Sequence, residues 1–476
     1  MTVSHVVKGI QNIMRKDVGV DGDAQRISQM CWMFFLKIID DQDMSLEATR
    51  PGFRSSMPKN FRWSDWAADP EGITGEELLR FVDDELFPKL KNLSAGNDAR
   101  RRIVREVFGD AYNYMKSGQL MRQVINKIQA VDFNKLAERQ HFGEIYEQIL
   151  NDLQSAGNAG EYYTPRALTA FMVERIDPKP KETLLDPACG TGGFLTCAIR
   201  HMSEQHIKRP AQRKTMEGNL RAIEKKPLPH MLCMTNMLLH NVESPDFVRH
   251  DNALARPYAS YGNADRVDIV LTNPPFGGEE ETGVENNFPQ EFKTRETADL
   301  FLAMIMRLLK PGGRCGIVLP DATLYGGGVK TRIKEKLLKE CNLHTIIRLP
   351  DSVFSPYADV GTNLLFFIKG EETNNIWYYE HRVPADQKKY SKTRPILLEH
   401  LESCAKWWNN QRKTENAWRV GIEEIKARNY NLDFRNPNMR EALENPQDAL
   451  KSLLSSEREV VKLREQLLKI LSEPFA

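Results

Sequence analysis

The sequence lacks three features that would assign it to a secreted, a membrane or a clustered-zinc protein. Its 7 cysteines form no CxxC pair, which argues against a disulfide framework and a clustered zinc site. No run approaches the roughly 18 apolar residues of a membrane span, and the amino terminus has no apolar signal core. We therefore expect a protein of the reducing cytoplasm that does not enter a membrane and needs no metal.

An excess of charge of either sign is also missing. The chain has 66 Lys plus Arg against 65 Asp plus Glu. Its overall charge therefore cannot hold a polyanion, and any contact with nucleic acid must be local or supplied by a partner. With 476 residues, of which 41% are hydrophobic, the chain can bury a sizeable core and is long enough for two to four domains.

Helical periodicity dominates the first 155 residues. "DAQRISQMCWMFFLKIID" (23–40) opens with Asp23 and places apolar residues at helical intervals, and "FNKLAERQHFGEIYEQILNDLQ" (133–154) repeats the pattern. The turn-prone "SAGNAG" that follows indicates a domain boundary. We expect a helical N-terminal domain at 1–155.

Short strand-like and longer helix-like runs alternate from residue 156 to about 380. "TLLD", "VDIVLT", "RCGIVLP", "HTIIRLP" and "NLLFFIKG" read as strands, the last ending near Lys369, and apolar-periodic helices lie between them. This alternation predicts a doubly wound, Rossmann-like α/β domain with a mostly parallel sheet and helices on both faces. Residues 381–476 are predicted to form a C-terminal region that ends in a helix.

Two motifs at predicted strand ends carry most of the functional information, because ligands of such sheets bind outside the carboxyl ends of the strands. In "TLLDPACGTGGFL" (183–195), Gly190, Gly192 and Gly193 would let a ligand approach the backbone, and Asp186 could hold an ammonium group. Leu195 replaces the third glycine of GxGxxG, which disfavours a pyrophosphate ligand. A simple tight turn is the alternative.

The second motif, "NPPF" (273–276), would suit methylation of an exocyclic amino group. The Asn273 side chain and the Pro274 carbonyl could accept its two N–H bonds, so that the nitrogen lone pair points at a methyl donor. Pro274 and Pro275 would fix these acceptors in place. Phe276 would present a ring on which an extruded base stacks. The alternative is a rigid loop with one exposed aromatic residue.

Two further strand ends offer carboxylates. Glu224, in "LRAIEKK", could accept hydrogen bonds from both hydroxyls of a ribose, and Asp251, in "FVRHDNAL", could accept from an adenine amino group. Taken alone, Glu224 is better explained as a solvated surface charge, whereas for Asp251 a turn or helix-cap role fits equally well.

Together these stretches resemble a known family. DPxxGTGGF followed by NPPF resembles the S-adenosylmethionine-dependent DNA amino-methyltransferases. "GEYYTPRALTAFMVERI" (160–176), "ARNYNLDFRNP" (427–437) and the helical N-terminal region narrow the resemblance to the modification (M) subunit of type I restriction-modification systems. It implies methyl transfer from S-adenosylmethionine to adenine N6 in DNA, with specificity from a separate S subunit, two M chains around one S chain, and optional restriction (R) subunits.

The resemblance also implies site residues. Asn273, Pro274, Pro275 and Phe276 match the catalytic tetrapeptide. Asp186 matches the carboxylate near the methionine ammonium, Glu224 the ribose ligand and Asp251 the adenine ligand. The segment that closes over the cofactor and the glycine turn beneath it correspond to Glu161, Tyr162, Tyr163, Thr164, Pro165, Arg166, Gly190, Thr191, Gly192 and Gly193.

The residues leave other functions open. No Pro-Cys dipeptide occurs, so methylation at a ring carbon through a cysteine nucleophile is disfavoured; adenine over cytosine rests on the resemblance alone. Methylation of a protein glutamine amide and a non-catalytic scaffold are the alternatives. The long helical N-terminal region argues against the first, and the intact Asn273 and glycine turn argue against the second.

No segment reads as a DNA-recognition surface. The best basic cluster, in "YGGGVKTRIKEKLLKE" (325–340), fits a solvated helix face better than a reading head. In residues 448–473, Leu453, Val460 and Leu467 recur every seven positions, which suits a coiled coil or local packing; the resemblance favours docking on a partner. We therefore expect DNA specificity to come from another subunit.

Overall fold

A computed structural model describes residues 3–135, 146, 164–355 and 360–438, together with isolated positions between 450 and 464. The predicted helix at 133–154 and the terminal helix at 448–473 therefore lie largely outside the described residues.

The described part of the N-terminal region is helical and contains no strand between residues 3 and 135, as predicted. The helices are Val3–Met14 (α1), Asp23–Thr49 (α2), Trp63–Trp66 (α3), Gly75–Arg80 (α4), Phe87–Lys91 (α5), Ala99–Gly109 (α6) and Gly118–Gln129 (α7), with a π-helical turn at Phe81–Leu86. The longest, α2, is buried over much of its length, including Trp32, Phe34 and Phe35. Side chains of this size make α2 the centre of the helical core.

A nine-stranded sheet forms the second part of the molecule. Its strands are Leu184–Asp186 (β1), Leu220–Glu224 (β2), Val248–His250 (β3), Val267–Thr272 (β4), Leu309–Pro320 (β5), Cys341–Leu349 (β6), Thr362–Lys369 (β7), Asn375–Glu380 (β8) and Ala417–Gly421 (β9). They lie in the order β3-β2-β1-β4-β5-β7-β6-β8-β9. The pairs from β3 to β5 are parallel, and β7 runs antiparallel between β5 and β6.

Helices of this part are Arg166–Ile176 (α8), Gly193–Gln205 (α9), Pro210–Asn219 (α10), Pro227–Leu239 (α11), Thr297–Leu308 (α12), Asp321–Tyr325 (α13), Val329–Glu340 (α14), Glu402–Trp408 (α15) and Ile422–Ala427 (α16). Most of the parallel strands are followed by a helix, which is the doubly wound α/β arrangement expected from the sequence. The expectation that the sheet ends near Lys369 is wrong, because β8 pairs with β6 and β9 pairs with β8.

The N-terminal helices pack directly on α11. Met231 to Leu239 of α11 are buried without interruption, because this helix lies against the N-terminal helices on one side and the sheet on the other. Gln42 of α2 donates to the Leu238 carbonyl at 3.1 Å, and Arg100 of α6 forms an ion pair of 2.8 Å with the buried Asp43. The helical region thus supports the helix that follows β2.

All seven cysteines are buried and free, which agrees with the prediction that disulfides do not stabilise the fold. Within the described ranges, no helix combines the length and apolarity needed to span a lipid bilayer.

Candidate active site

Four strand ends meet at one edge of the sheet. β1 and β4 are parallel neighbours, with Leu184 opposite Ile269 and Leu185 opposite Val270. Parallel strands end at the same edge of a sheet, so the glycine turn after β1 and the NPPF segment after β4 emerge side by side. On the other side of β1 follow β2, which ends at Glu224, and β3, which ends one residue before Asp251.

Asp186 is the last residue of β1, and only 1% of its surface is exposed. Burial raises the pKa of its carboxyl to about 7; the Thr272 hydroxyl and the Ala188 amide oppose this rise, and the charge of Glu224 adds to it. Among the residues that the structure describes, no lysine, arginine or histidine forms an ion pair with Asp186. A buried carboxylate that has a raised pKa and lacks such an ion pair is suited to bind a cationic group of a ligand.

The glycine turn is held from below by α11. Gly192 has φ +84°, and a Cβ there would lie 2.9 Å from Cys233 Sγ and 3.0 Å from Met237 Cε. Asn236 is fully buried, and its Nδ2 donates to the Thr191 carbonyl at 3.0 Å. Asn236 was not among the predicted site residues, although a lone amide inside the apolar run "LPHMLCMTNMLLH" indicates a buried side chain with a specific partner.

Glu224 ties the same turn to β2. Its Oε2 accepts from the Gly190 amide at 2.9 Å, and its Oε1 accepts from the Lys226 amide at 2.8 Å. These two bonds fix the orientation of the carboxylate, whose oxygens each carry two lone pairs. Glu224 lies 38 positions after Asp186 (224 − 186), more than the roughly 20 of compact dinucleotide-binding folds. The excess is accounted for by α10, an additional helix before β2.

Asp251 lies just beyond β3, and its side chain is largely exposed. Its backbone amide donates to the Glu224 carbonyl at 3.0 Å, which places the two residues side by side. Its Oδ1 accepts from the Asn252 amide at 2.8 Å. The turn role considered from sequence is therefore present, together with the position at the strand end that a ligand contact requires.

Three residues of the predicted closing segment, Glu161, Tyr162 and Tyr163, lie outside the described residues. Thr164 is buried, and Pro165 directly precedes α8. Arg166 Nη1 donates to the Gly193 carbonyl at 2.7 Å and to Thr196 Oγ1 at 2.6 Å. This arginine therefore anchors the start of α8 on the first turn of α9.

The NPPF segment follows β4 directly. Pro274 is buried, Asn273 is half-buried and Pro275 is exposed. The expectation that Phe276 presents an exposed ring is wrong for this structure, since the residue is only 2% exposed. Its ring meets Phe354 edge to face, with centroids 5.7 Å apart. An extruded base could stack on it only after this aromatic pair has moved.

The basic cluster in 325–340 is only in part the solvated face that we expected: Arg332 is exposed, whereas Lys330, Lys334 and Lys336 contact other parts of the fold. Lys330 Nζ lies 2.6 Å from Oδ2 of the buried Asp299. Lys334 is 1% exposed and donates to the carbonyls of Leu324 (2.6 Å) and Gly326 (2.9 Å), and burial lowers its pKa to about 8. Lys336 lies 5.1 Å from the centroid of Phe292. These cations are used within the fold.

Two protein-family profiles match this chain. The N-6 DNA Methylase family profile matches residues 137–445, and the HsdM N-terminal domain profile matches residues 3–128. The chain belongs to the N-6 DNA methylase family. It is 52% identical to the methylase subunit of the type I restriction enzyme EcoEI from Escherichia coli, over 100% of this chain and 99% of that one.

Other relatives agree with this assignment to the type I methylase subunits. The EcoKI methylase subunit of Escherichia coli strain K12 is 29% identical, over 84% of this chain and 76% of that one. A crystal structure from Vibrio vulnificus YJ016, assigned to the modification subunit of a type I restriction enzyme, has 41% identity and a TM-score of 0.83, and covers 94% of this chain and 99% of that chain. The resemblance seen in the motifs is confirmed.

The chain is therefore a DNA methyltransferase that uses S-adenosylmethionine. The residues at the strand ends fit this cofactor, which supplies an electrophilic methyl group when bound. The buried Asp186 carboxylate suits its ammonium, the Glu224 carboxylate next to Gly190 suits ribose hydroxyls, and Gly190, with φ +54°, has nothing within 4 Å of a Cβ position. The turn therefore leaves open space beside the backbone where a ligand can approach.

Proposed function

We propose that this methylase subunit transfers a methyl group to the N6 amino group of adenine in DNA, at sites chosen by a separate S subunit. The observation that carries the proposal is the direct pairing of β1 with β4. It brings the turn suited to the methyl donor and the segment suited to the acceptor amino group to the same point of the sheet edge.

The cofactor roles proposed for the strand ends follow from their chemistry. Asp186 would hold the ammonium of the methionine part, Glu224 the ribose hydroxyls and Asp251 the adenine amino group. Glu161 to Arg166 would close over the cofactor, with Thr164 contacting its methionine part. Gly190, Thr191, Gly192 and Gly193 would lie beneath it.

The proposed role of the NPPF segment is to orient the target amino group. The Asn273 side-chain oxygen and the Pro274 backbone carbonyl would each accept one N–H of the adenine N6 group, which directs the nitrogen lone pair towards the methyl donor. Pro274 and Pro275 restrict the backbone, so these acceptors need no large rearrangement when substrate arrives. Phe276 would stack on the extruded base once its ring has left Phe354.

Division of labour between subunits is the second part of the proposal. We assign residues 1–155 to a helical domain, 156–380 to the catalytic domain and 381–476 to a C-terminal region whose terminal helix docks on a partner. The HsdM N-terminal match to residues 3–128 supports the first assignment. Because Lys330, Lys334 and Lys336 are engaged within the fold, the basic cluster offers little for reading DNA. Two such chains around one S subunit, with R subunits added for restriction, would complete the complex.

The test is methylation of plasmid DNA by the purified chain alone and after its S subunit is added, with modified positions mapped on both strands. We expect S-adenosylmethionine binding by the chain alone, and 6-methyladenine at one bipartite site only when the S subunit is present. Efficient, site-specific methylation by the chain alone would refute the proposed division of labour. A product methylated at cytosine N4 would refute the proposed target.

A further inference from the structure

Glu280 is a buried carboxylate four residues after Phe276 that the roles above do not include. It is 8% exposed, and its two oxygens contact three other segments. Oε2 accepts from Lys225 Nζ at 3.2 Å and from Asn252 Nδ2 at 3.4 Å. Oε1 lies 3.4 Å from Thr297 Oγ1, at the start of α12. A carboxylate that leaves water needs such partners, so Lys225 and Asn252 fix its position.

Two of these partners directly follow residues with proposed cofactor roles. Lys225 directly follows Glu224, the residue proposed to hold the ribose, and Asn252 directly follows Asp251, the residue proposed to hold the adenine ring. Glu280 itself belongs to the loop that leaves β4 through the NPPF segment. One buried side chain thus joins the loops that follow β2, β3 and β4.

Backbone hydrogen bonds join the two ends of the loop that contains Glu280. The Glu280 amide donates to the Arg295 carbonyl at 2.8 Å, and the Thr297 amide donates to the Gly278 carbonyl at 3.2 Å. The Thr297 hydroxyl donates its one hydrogen to the Gly278 carbonyl, at 3.0 Å. Movement of Glu280 therefore carries the segment from Gly278 to Thr297 with it, and this segment begins two residues after the NPPF motif ends.

We propose that Glu280 is a positioning residue that couples cofactor binding at the ends of β2 and β3 to the placement of the Asn273–Phe276 segment. The inference rests on the proposed roles of Glu224 and Asp251. A cofactor that fixes these two strand ends also fixes Lys225 and Asn252, and through them the loop that carries the acceptors for the target amino group. Loss of the coupling should affect both cofactor binding and methyl transfer.

Glu280→Gln is the most direct test, because it keeps the volume of the side chain and removes its charge. The amide oxygen can still accept from Lys225 and Asn252, and the NH2 group can donate to the Thr297 hydroxyl. The substitution therefore removes the negative charge from these contacts while leaving their geometry possible. Glu279→Gln is the matched control: its side chain is 62% exposed and pairs with Arg295 at 3.1 Å, on the same loop but outside the junction.

The dissociation constant for S-adenosylmethionine is measured on the folded chain. The single-turnover rate of methyl transfer is measured at saturating cofactor with the S subunit present. We expect Glu280→Gln to weaken cofactor binding and to slow transfer, each about tenfold or more, because its contacts with Lys225 and Asn252 lose their charge assistance. Glu279→Gln should leave both within about twofold, as an exposed pair does.

Hydrogen exchange distinguishes a positioning role of Glu280 from a purely structural one. In the wild type, addition of S-adenosylmethionine should slow exchange in residues 277–296, although these residues contribute no proposed cofactor ligand. In Glu280→Gln this protection should disappear, while protection of the Gly190–Gly193 turn remains.

If Glu280→Gln fails to fold, Asn252→Asp replaces it, since the carboxylate keeps an acceptor for the Leu254 amide (2.9 Å) and turns the contact with Glu280 into a repulsive one. The same two losses are expected. A folded variant with wild-type binding, transfer and exchange, or with a lowered melting temperature alone, would overturn the inference. A wild type that neither binds cofactor nor methylates DNA would overturn the proposed function, and this inference with it.

Discussion

Replacing Asp186 with asparagine separates the charge of the carboxylate at the end of β1 from its shape. Burial raises the pKa of this group from 3.8 to about 7. This rise corresponds to a cost of about 4 kcal/mol for ionising the group in the protein without cofactor. Because the pKa is higher in the folded than in the unfolded state, the folded state holds more protons between about pH 4 and pH 7, and the free energy of unfolding falls as pH rises through this window. Asp186→Asn should remove this loss and stabilise the cofactor-free protein at pH 8.

Bound S-adenosylmethionine should lower the pKa of the Asp186 carboxyl, because its ammonium group favours the ionised carboxylate. At pH 6, about nine tenths of the Asp186 carboxyl carries a proton in the free protein, whereas a free α-amino group, with a pKa of about 7.7–8.0, is already charged. Binding should then release about 0.9 proton in the wild type. As the pH falls below 7, the wild-type dissociation constant for S-adenosylmethionine should rise about tenfold per pH unit. The dissociation constant of Asp186→Asn should not change with pH in this range.

Titration calorimetry at pH 6 in two buffers of different ionisation enthalpy measures the released protons directly. Asp186→Asn should bind the cofactor more weakly, because a charge-assisted hydrogen bond is lost, and should release almost no proton. Equal proton release and equal pH dependence in the two proteins would show that Asp186 does not contact the ammonium, and would refute the reasoning.

Three further predictions concern other parts of the site and the complex. Gly192→Ala should abolish cofactor binding, because its Cβ would lie 2.9 Å from Cys233 Sγ and the backbone has φ +84°. Equilibrium binding of S-adenosylmethionine checks this. Gly218→Ala is the control, since no atom lies within 4 Å of the added Cβ. Phe276→Leu should slow methyl transfer about tenfold through lost base stacking, with cofactor binding unchanged; an unchanged single-turnover rate would contradict stacking. Deletion of residues 448–476 should prevent assembly with the S subunit in a pull-down, and unchanged assembly would reduce the terminal helix to local packing.

Periodicity was sufficient to predict most of the fold. β1, β4, β5, β6 and β7 and the helices α8, α11, α12 and α14 all coincide with apolar runs of strand or helix period. The strands β8 and β9 were missed for a physical reason. "NIWYYE" and "AWRVG" are short and alternate imperfectly, and they are strands because each finds a neighbouring edge with which to pair, a non-local contact.

The site shows the same division between local and non-local information. Asp186, Glu224 and Asp251 could be placed at strand ends because each directly follows or ends an apolar run. The burial of Phe276 depends on Phe354, which approaches from a distant part of the chain. Lys334 reads as part of a charged helix face, yet the carbonyls of the preceding turn bury it. Local sequence carries no information about such tertiary contacts.

Methyl transfer by Asn273→Ala tests the central claim most directly, namely that the turn after β1 and the segment after β4 form one site. Single-turnover transfer of tritiated methyl groups to plasmid DNA is measured with the S subunit present, beside the dissociation constant for S-adenosylmethionine. We expect cofactor binding within about twofold of the wild type and a transfer rate lower by at least about two orders of magnitude, as for loss of one oriented polar group in a transition state. Wild-type transfer by Asn273→Ala on the same DNA would contradict the account.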